Sequence, residues 1–245
     1  MMYLNELARK CPATTATKQA PHLSNRYQFV NTMEVIDVLR TYDFYPVNAS
    51  QVGTSTHAKH IIRLRHLRDI ATPKEEAYEI ILINSHNGTV RFQLRFGIFR
   101  LVCTNGLIIG ISLCQPVTFK HLRTYGAMIK AAVNTFNMEV GRIEEAVNRM
   151  KNTTIGAATA TGLAMSGINA RWGSYNDSPE KVSAIRLTHP RREEDISDSL
   201  WCVYNRIQEN LIKGQVENSV RPLTDAFKCI SVNEALWNKA YALVA

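Results

Sequence analysis

Arginines alternate with apolar residues in the segment TVRFQLRF, which spans residues 89–96. Successive side chains of a β-strand point to opposite faces, so Arg91, Gln93 and Arg95 would share one face while the apolar side chains enter a core. Guanidinium groups bind phosphates through paired hydrogen bonds, and a glutamine amide can read the edge of a base. The chemistry that this pattern predicts is the binding of a polyanion.

This strand lies in a long part of the chain without acids. No Asp or Glu occurs between Glu79 and Glu139, and the strand pattern that precedes this span is also basic. The predicted nucleic-acid-binding residues come from both parts: Arg63, Arg65, Arg68, Arg91, Gln93, Arg95, Arg100, Lys120 and Arg123. Whether the arginines of different strands share one face depends on the strand order, which the sequence leaves open. The alternative interpretation is a solvated face whose arginines keep a sheet edge from aggregating.

Three histidines, His57, His60 and His66, have the residue type of metal ligands. No Cys, Asp or Glu joins them within their segment, and alternation sends His60 and His66 to the same face as the apolar residues. We interpret the three as partly buried or phosphate-contacting side chains, and the role of His86 is open as well. The sequence therefore predicts no metal site.

The sequence favours binding over catalysis. A two-metal nuclease needs clustered carboxylates, and the strand-rich region has few acids. No nucleophile elbow of the G-x-S-x-G type is present, although a Ser-His-Asp or Cys-His site with members far apart in sequence stays open. Cys103 lies beside an Asn-Gly pair, but its apolar neighbours favour a buried thiol. We predict no catalytic residue and no cofactor.

Two Asn-Gly pairs indicate the turns of a meander. Asn87-Gly88 lies between the strand patterns of residues 78–83 and 89–96, and Asn105-Gly106 lies between those of residues 98–104 and 107–113. Asn-Gly favours a type I′ hairpin turn, because both central residues of that turn need positive φ. A strand pattern around Ile62 precedes them. We expect three or four antiparallel strands.

Residue patterns typical of helices occur before and after the strands. Asn31 and Glu34 form a capping pattern for a helix that reaches about residue 42. Apolar residues at steps of three and four between residues 122 and 150 predict a long helix that covers the sheet. Near the C-terminus, a helix that starts at Asp195 or Ser197 ends at Gly214, and a capping box at Ser231 opens the last helix. Residues 152–174 are rich in Gly, Ala and Thr and predict a flexible loop or small hairpin.

These elements predict an α+β fold, in which an antiparallel meander is covered by a long helix and the C-terminal third is helical. Residues 1–21 are expected to form a flexible arm. Residues 22–245 are expected to form a single domain, with the first helix, the meander and the long helix in 22–151, a loop-rich segment in 152–192 and a closing helical part in 193–245.

Composition supports a polyanionic partner. The chain of 245 residues has a net charge of +8 and an isoelectric point near 9.3. Such a charge fits nucleic acid first and an anionic membrane surface second. No apolar run approaches the roughly 20 residues of a membrane span, and no secretory signal opens the chain, so we expect a cytoplasmic protein. Its five cysteines are odd in number and widely spaced, which indicates reduced thiols.

Four segments resemble a family of phage- and plasmid-encoded proteins known as a domain of unknown function. They are HLSNRYQFV (22–30), INSHNGTVRFQLRFGIFRLVCTNGLIIG (83–110), LWCVYNRIQENLIKG (200–214) and ISVNEALWNKAYAL (230–243). The resemblance covers nearly the whole chain, and the pattern NSHNG…FRLVCTNGL is its signature. It implies membership but says nothing about activity, because the family has no agreed catalytic residues to carry over.

An origin on a mobile element implies function by analogy. Phages often carry single-strand annealing recombinases, which are basic, ring-forming proteins with a strand meander followed by a long helix. The leading hypothesis is therefore a protein without enzymatic activity that binds single-stranded DNA in the host cytoplasm and forms homo-oligomers. The alternative is a phage interaction protein that inhibits a host defence system by binding one of its proteins. A metal-dependent nuclease is a third interpretation.

Overall fold

The computed structural model describes residues 1–101, 105–112, 125–177, 182–214 and 220–245 of the chain. These residues divide into two compact units, Met1–Glu139 and Val140–Ala245, where the sequence predicts one domain from residue 22. The α+β class is confirmed. The meander lies in the first unit, and helices make up most of the second.

The first unit contains an antiparallel sheet of five strands in the order β1-β2-β3-β4-β5, so the predicted meander is confirmed with one strand more than expected. Its strands are β1 (Phe44–Gln51), β2 (His60–His66), β3 (Glu76–Asn84), β4 (Gln93–Arg100) and β5 (Asn105–Ser112). Two helices belong to the same part of the chain, α2 (Thr32–Arg40) before β1 and α3 (Leu67–Ala71) between β2 and β3. Consecutive strands are therefore neighbours throughout the sheet.

The two Asn-Gly pairs do not form the predicted hairpin turns. Asn105 pairs with Arg100, and Gly106 pairs with Phe99, so this Asn-Gly lies inside the β4–β5 ladder. The connection from β3 to β4 spans residues 85–92, in which Gly88 has a φ of 77° but Asn87 does not have a positive φ. Asn105 thus forms the first pair of β5, and the eight-residue connection around Asn87 is longer than the two-residue loop of a type I′ hairpin.

The larger part of the core of the first unit lies on one face of the sheet, although Ile61, Ile81 and Ile83 are also buried on the opposite face. Apolar side chains from β2, β3 and β4 are almost completely buried on the first of these faces: Ile62, Leu64, Ile80, Leu82, Leu94, Phe96 and Ile98. The long helix α4 (Tyr125–Asn152) contributes Phe136, whose ring lies 5.1 Å from that of Phe44 and 4.9 Å from that of Phe96. Each large side chain buried in this way stabilises the fold by about 1.5–3 kcal/mol. The part of α4 that belongs to the first unit thus packs on this face of the sheet, where the sequence predicts a covering helix.

Helix α2 begins as its sequence predicts. The Oδ1 atom of Asn31 accepts hydrogen bonds from the backbone N–H groups of Met33, at 3.0 Å, and Glu34, at 3.3 Å. The Nδ2 group of Asn31 donates to the Glu34 carboxylate at 3.0 Å. These bonds satisfy N–H groups that have no partner within the helix.

Residues 1–21 are folded onto the edge of the sheet and do not form the expected arm. Helix α1 (Leu4–Lys10) and a 3₁₀ turn at Pro12–Thr15 bury Leu7, Cys11 and Ala13 completely. The Met2 N–H donates to the Pro46 carbonyl of β1 at 2.7 Å. Because an exposed edge strand can pair with other chains, this covering segment also protects β1.

The second unit is helical. It contains the end of α4, then α5 (Ala157–Trp172), α6 (Ala184–Leu187), α7 (Leu200–Lys213) and α8 (Ala226–Tyr241). Gly214, with a φ of 85°, ends α7 as predicted, but Ser199 caps its start and not Asp195 or Ser197. Helix α8 is capped by Asp225, so Ser231 lies inside the helix and the predicted capping box is wrong.

Helix α5 occupies most of the segment that the sequence predicts as a loop. A Cβ atom at Gly167 would lie 2.4 Å from a methyl group of Leu211 in α7 and 2.9 Å from one of Leu236 in α8. The small residues therefore allow α5 to pack closely against two neighbouring helices. Their abundance reflects helix packing and not flexibility.

This packing leads to a prediction about two glycines of one helix. Gly167→Ala should lower the free energy of unfolding by about 1–3 kcal/mol, because Leu211 and Leu236 are fully buried and have little space to move. Gly162→Ala is the matched control, since a Cβ there meets nothing within 4 Å, and it should raise stability by up to about 1 kcal/mol. Chemical denaturation measures both. Equal effects would contradict the close packing.

Candidate nucleic-acid interface

The strand order places three of the predicted arginines on one face of the sheet. In the register, Arg63 of β2 lies opposite Ile81 of β3, which lies opposite Arg95 of β4. Arg65 lies two residues from Arg63 on the same strand and therefore on the same face. We call this side, with Arg63, Arg65, Gln93 and Arg95, the arginine face. It is opposite to the face that carries the larger part of the core.

A buried carboxylate lies in the middle of the arginine face. Glu79 of β3 has a fully buried side chain and binds Arg63 through Nε at 2.5 Å and Arg65 through Nη2 at 2.6 Å. The two arginine side chains keep only 14% and 13% of their surface exposed. The guanidinium of Arg65 also lies 4.3 Å from the centre of the Phe99 ring. Both cations are therefore engaged within the protein.

The other predicted residues are spread over several environments. Gln93 accepts a hydrogen bond from Nε of Arg95 at 2.7 Å, and burial lowers the pKa of Arg95. Arg100 is buried on the core side of β4, 3.4 Å from the carboxylate of Glu75. Arg68, in α3, is exposed and lies 3.2 Å from Asp69. Arg91 is exposed in the connection before β4, and Lys120 and Arg123 fall outside the described residues. The structure thus separates residues that the sequence groups together.

The ion pairs of Glu79 lead to a prediction about stability. Glu79→Gln removes the charge that two poorly exposed guanidiniums share, and it should lower the free energy of unfolding by about 3–5 kcal/mol. The control is Glu145→Gln, which breaks an exposed pair with Arg149 at 3.1 Å and should cost less than about 1 kcal/mol. Urea denaturation measures the difference. Similar small losses in both variants would mean that Glu79 does not hold the arginine face together.

A second group of polar residues gathers at one end of the sheet. The connections β1–β2 and β3–β4 are both found there, because alternate turns of a meander lie at the same end. A third segment joins them through hydrogen bonds from Ala20 N–H to the His86 carbonyl at 2.8 Å and from the Tyr27 hydroxyl to the Ser85 carbonyl at 2.6 Å. His86 N–H in turn donates to the His57 carbonyl at 3.1 Å. We call residues 17–30, 52–59 and 85–92 the loop end.

Two buried histidines, His60 and His86, form hydrogen bonds beneath the surface of the loop end. The Thr32 hydroxyl lies 2.9 Å from Nε2 of His60 and 3.4 Å from Nε2 of His86, and Asn84 Nδ2 donates to it at 3.0 Å. All four residues are buried, and the two imidazole rings are 5.2 Å apart. His60 also bonds through Nδ1 to the Ala58 carbonyl at 2.8 Å. These contacts link α2, β2 and β3, so the two histidines have a structural role.

His66, at the end of β2, caps a helix. Nδ1 of His66 accepts a hydrogen bond from the Arg68 N–H at 3.1 Å and so caps α3. No group of three or more His, Cys, Asp or Glu side chains in the described residues could hold a metal ion. His66 is therefore explained by capping and His60 by the buried network, whereas His57 is half-exposed at the loop end.

The buried pair makes stability depend on pH. The pKa values of His60 and His86 are both lowered to about 4, mainly by burial, and the proximity of His60 contributes to the shift of His86. An unfolded chain protonates these groups near pH 6.5, so it binds more protons than the folded chain between pH 6.5 and 4. The free energy of unfolding should therefore be constant above about pH 7 and fall towards pH 4, by up to roughly 3 kcal/mol for each ring.

Denaturation of the wild type and of two variants over this pH range tests that expectation. His86→Gln should show a smaller loss of stability on acidification, whereas His22→Gln, which changes an exposed ring at the same end of the sheet, should follow the wild type. The assignment fails if all three proteins lose stability equally.

Sequence reasoning did not find that two of the family-like segments meet at the loop end. Tyr27 and Phe29 come from HLSNRYQFV, and Ser85 and His86 come from the NSHNG pattern. The ring of Phe29 lies 4.8 Å from that of His86. The co-occurrence of both segments in one chain was the available signal, but nothing local showed that they touch.

The other two family-like segments also meet, within the second unit. Gln208 of α7 donates to Asn233 of α8 at 2.9 Å, and the rings of Tyr204 and Trp237 lie 6.2 Å apart. The buried Arg206 of α7 donates to the backbone carbonyls of Asp195 and Thr188, which ties the preceding loop to the helix. Polar side chains of residues 200–214, among them Arg206 and Gln208, therefore stabilise the packing of the second unit.

Comparisons with known proteins identify the family. Residues 21–237 match the family described as a domain of unknown function (DUF932). Two relatives from Escherichia coli (strain K12), the UPF0380 proteins YafZ and YfjQ, are each 31% identical over 252 residues, which cover 98% of this chain and 90% of the relative. No solved structure matches the chain. The chain belongs to the DUF932 family, so the family membership expected from its sequence is confirmed.

None of the described helices is long and apolar enough to cross a bilayer.

Proposed function

We propose that this member of the DUF932 family is a nucleic-acid-binding protein that acts on single-stranded DNA. The supporting observation is the distribution of charge. Met1–Glu139 contains 16 Lys and Arg residues but nine Asp and Glu residues, whereas Val140–Ala245 contains 13 and 12. Nearly all of the net charge of +8 therefore belongs to the unit that holds the sheet. A unit with this imbalance attracts a polyanion and retains it by releasing counterions.

The finer part of the proposal is strand annealing. A protein that pairs complementary strands must hold their backbones and leave the base edges accessible, and contacts from cations to phosphates do this without reading sequence. Several copies in one assembly would hold a long strand through many weak contacts. The meander followed by the 28-residue helix α4 agrees with the order of elements that suggested this activity. A phage or plasmid origin belongs to the same proposal.

Binding to fluorescent oligothymidylate, to a duplex of equal length and to an RNA of equal length tests the function. We expect the single-stranded DNA to bind most tightly, and the logarithm of its affinity should fall with that of salt concentration by about 0.7 for each phosphate contact. Fluorescence anisotropy across a salt series gives both quantities. Light scattering of the protein with and without oligonucleotide counts the subunits.

Two results would overturn this function. One is the absence of binding to every oligonucleotide at low salt. The other is binding without salt dependence, which would exclude contacts to phosphates as its basis. Capture of a defined host protein together with the first result would favour the interpretation as an inhibitor of a host defence system.

A further inference from the structure

We propose that the loop end of the sheet, and not the arginine face, contacts the phosphates of the bound strand. This inference rests on the proposed function and assigns its site. It moves the interface from the centre of the strands to residues 17–30, 52–59 and 85–92. Of the arginines predicted from the sequence, Arg91 is the one that lies there.

The loop end carries positive charge without carboxylates. Lys18, His22, Arg26 and Arg91 are exposed, and His57 and Lys59 are half-exposed. No Asp or Glu occurs in any of its three segments. The acid nearest to them along the chain is Glu34, which hydrogen-bonds to Asn31 in the first turn of α2. A phosphate chain at this end meets cations and neutral polar groups.

The opposite end of the sheet has mixed charge. The acids of the first unit that lie next to its turns are Asp43, Asp69, Glu75 and Glu76. Asp69 pairs with Arg68, and Glu75 pairs with Arg100. A polyanion would be repelled there by the carboxylates and would compete with existing ion pairs. The two ends of the sheet therefore differ in charge: the loop end is basic, and the opposite end carries both acids and cations.

The arginine face is a poorer surface for phosphates. Glu79 already occupies the donors of Arg63 and Arg65 at 2.5 and 2.6 Å, and both guanidiniums are nearly buried. A phosphate that displaced the carboxylate would leave Glu79 charged and buried without a partner, which costs several kcal/mol. Phosphates should therefore bind preferentially where the cations are not engaged with a buried acid.

The loop end also has the rigidity that a binding surface needs. Its three segments are joined by backbone hydrogen bonds at His86, and the buried network of Thr32, His60 and His86 holds them from below. Strands β2 and β4 flank β3, so their ends lie about 10 Å apart, twice the usual spacing of neighbouring strands. The segment 52–59 beside β2 and the segment 85–92 beside β4 can thus contact different phosphates of one strand. Cations on a fixed scaffold lose less conformational entropy on binding.

Two variants with equal changes in charge distinguish the ends of the sheet. Lys18→Gln with Arg91→Gln removes two exposed cations from the loop end. Arg68→Gln with Lys74→Gln removes two exposed cations from the opposite end of the same unit. Any effect of net charge alone is the same in both. Circular dichroism and denaturation confirm that each variant is folded before oligothymidylate binding is measured by anisotropy across a salt series.

The loop-end variant should bind oligothymidylate more weakly at every salt concentration, and its salt slope should be smaller by about 1.4, twice the contribution of one phosphate contact to a single strand. The control variant should keep the slope of the wild type. Equal losses in both variants, or a larger loss in the control, would overturn the loop end as the site while leaving the function intact. If the wild type itself does not bind, the proposed function fails first.

Discussion

The buried carboxylate of Glu79 is the constraint on which the first unit depends. A charge in the central strand of a sheet is stable only when cations are held close to it. Arg63 and Arg65 provide these cations, and their contacts at 2.5 and 2.6 Å favour one register of β2 against β3. As a result, β2 turns two of its positive charges inward, towards a carboxylate of the neighbouring strand.

At the end of the same strands, the buried polar groups carry no charge and need no ion pairs. Two imidazoles and an asparagine amide meet there at the hydroxyl of Thr32 through hydrogen bonds. A neutral network needs no counter-charge, so it can lie beneath a basic surface without adding acids to it. Ordered loops on a rigid sheet are a common place for binding sites. The two networks together make the arginine face structural and leave the loop end positively charged.

Sequence patterns predicted the elements that are defined by neighbouring residues. The Asn31 cap of α2, the end of α7 at Gly214 and the alternation of buried Leu94 and Phe96 with Gln93 and Arg95 all depend on contacts within a few residues. Two features that depend on distant partners were not predicted. Gly167 takes its role from Leu211 and Leu236, and the N-terminal residues take theirs from Pro46 of β1. No local period carries that information.

The sequence by itself determined the α+β class, the meander, the family and the excess of positive charge in the first half of the chain. Only the tertiary structure decided which of these charges are available. Arg63 and Glu79 are 16 residues apart in sequence, and Tyr27 and Ser85 are 58 apart, yet each pair is in hydrogen-bonding contact. Strand register and chain crossings set such distances, and distance and burial decide whether a guanidinium binds its own protein or is left to bind a phosphate.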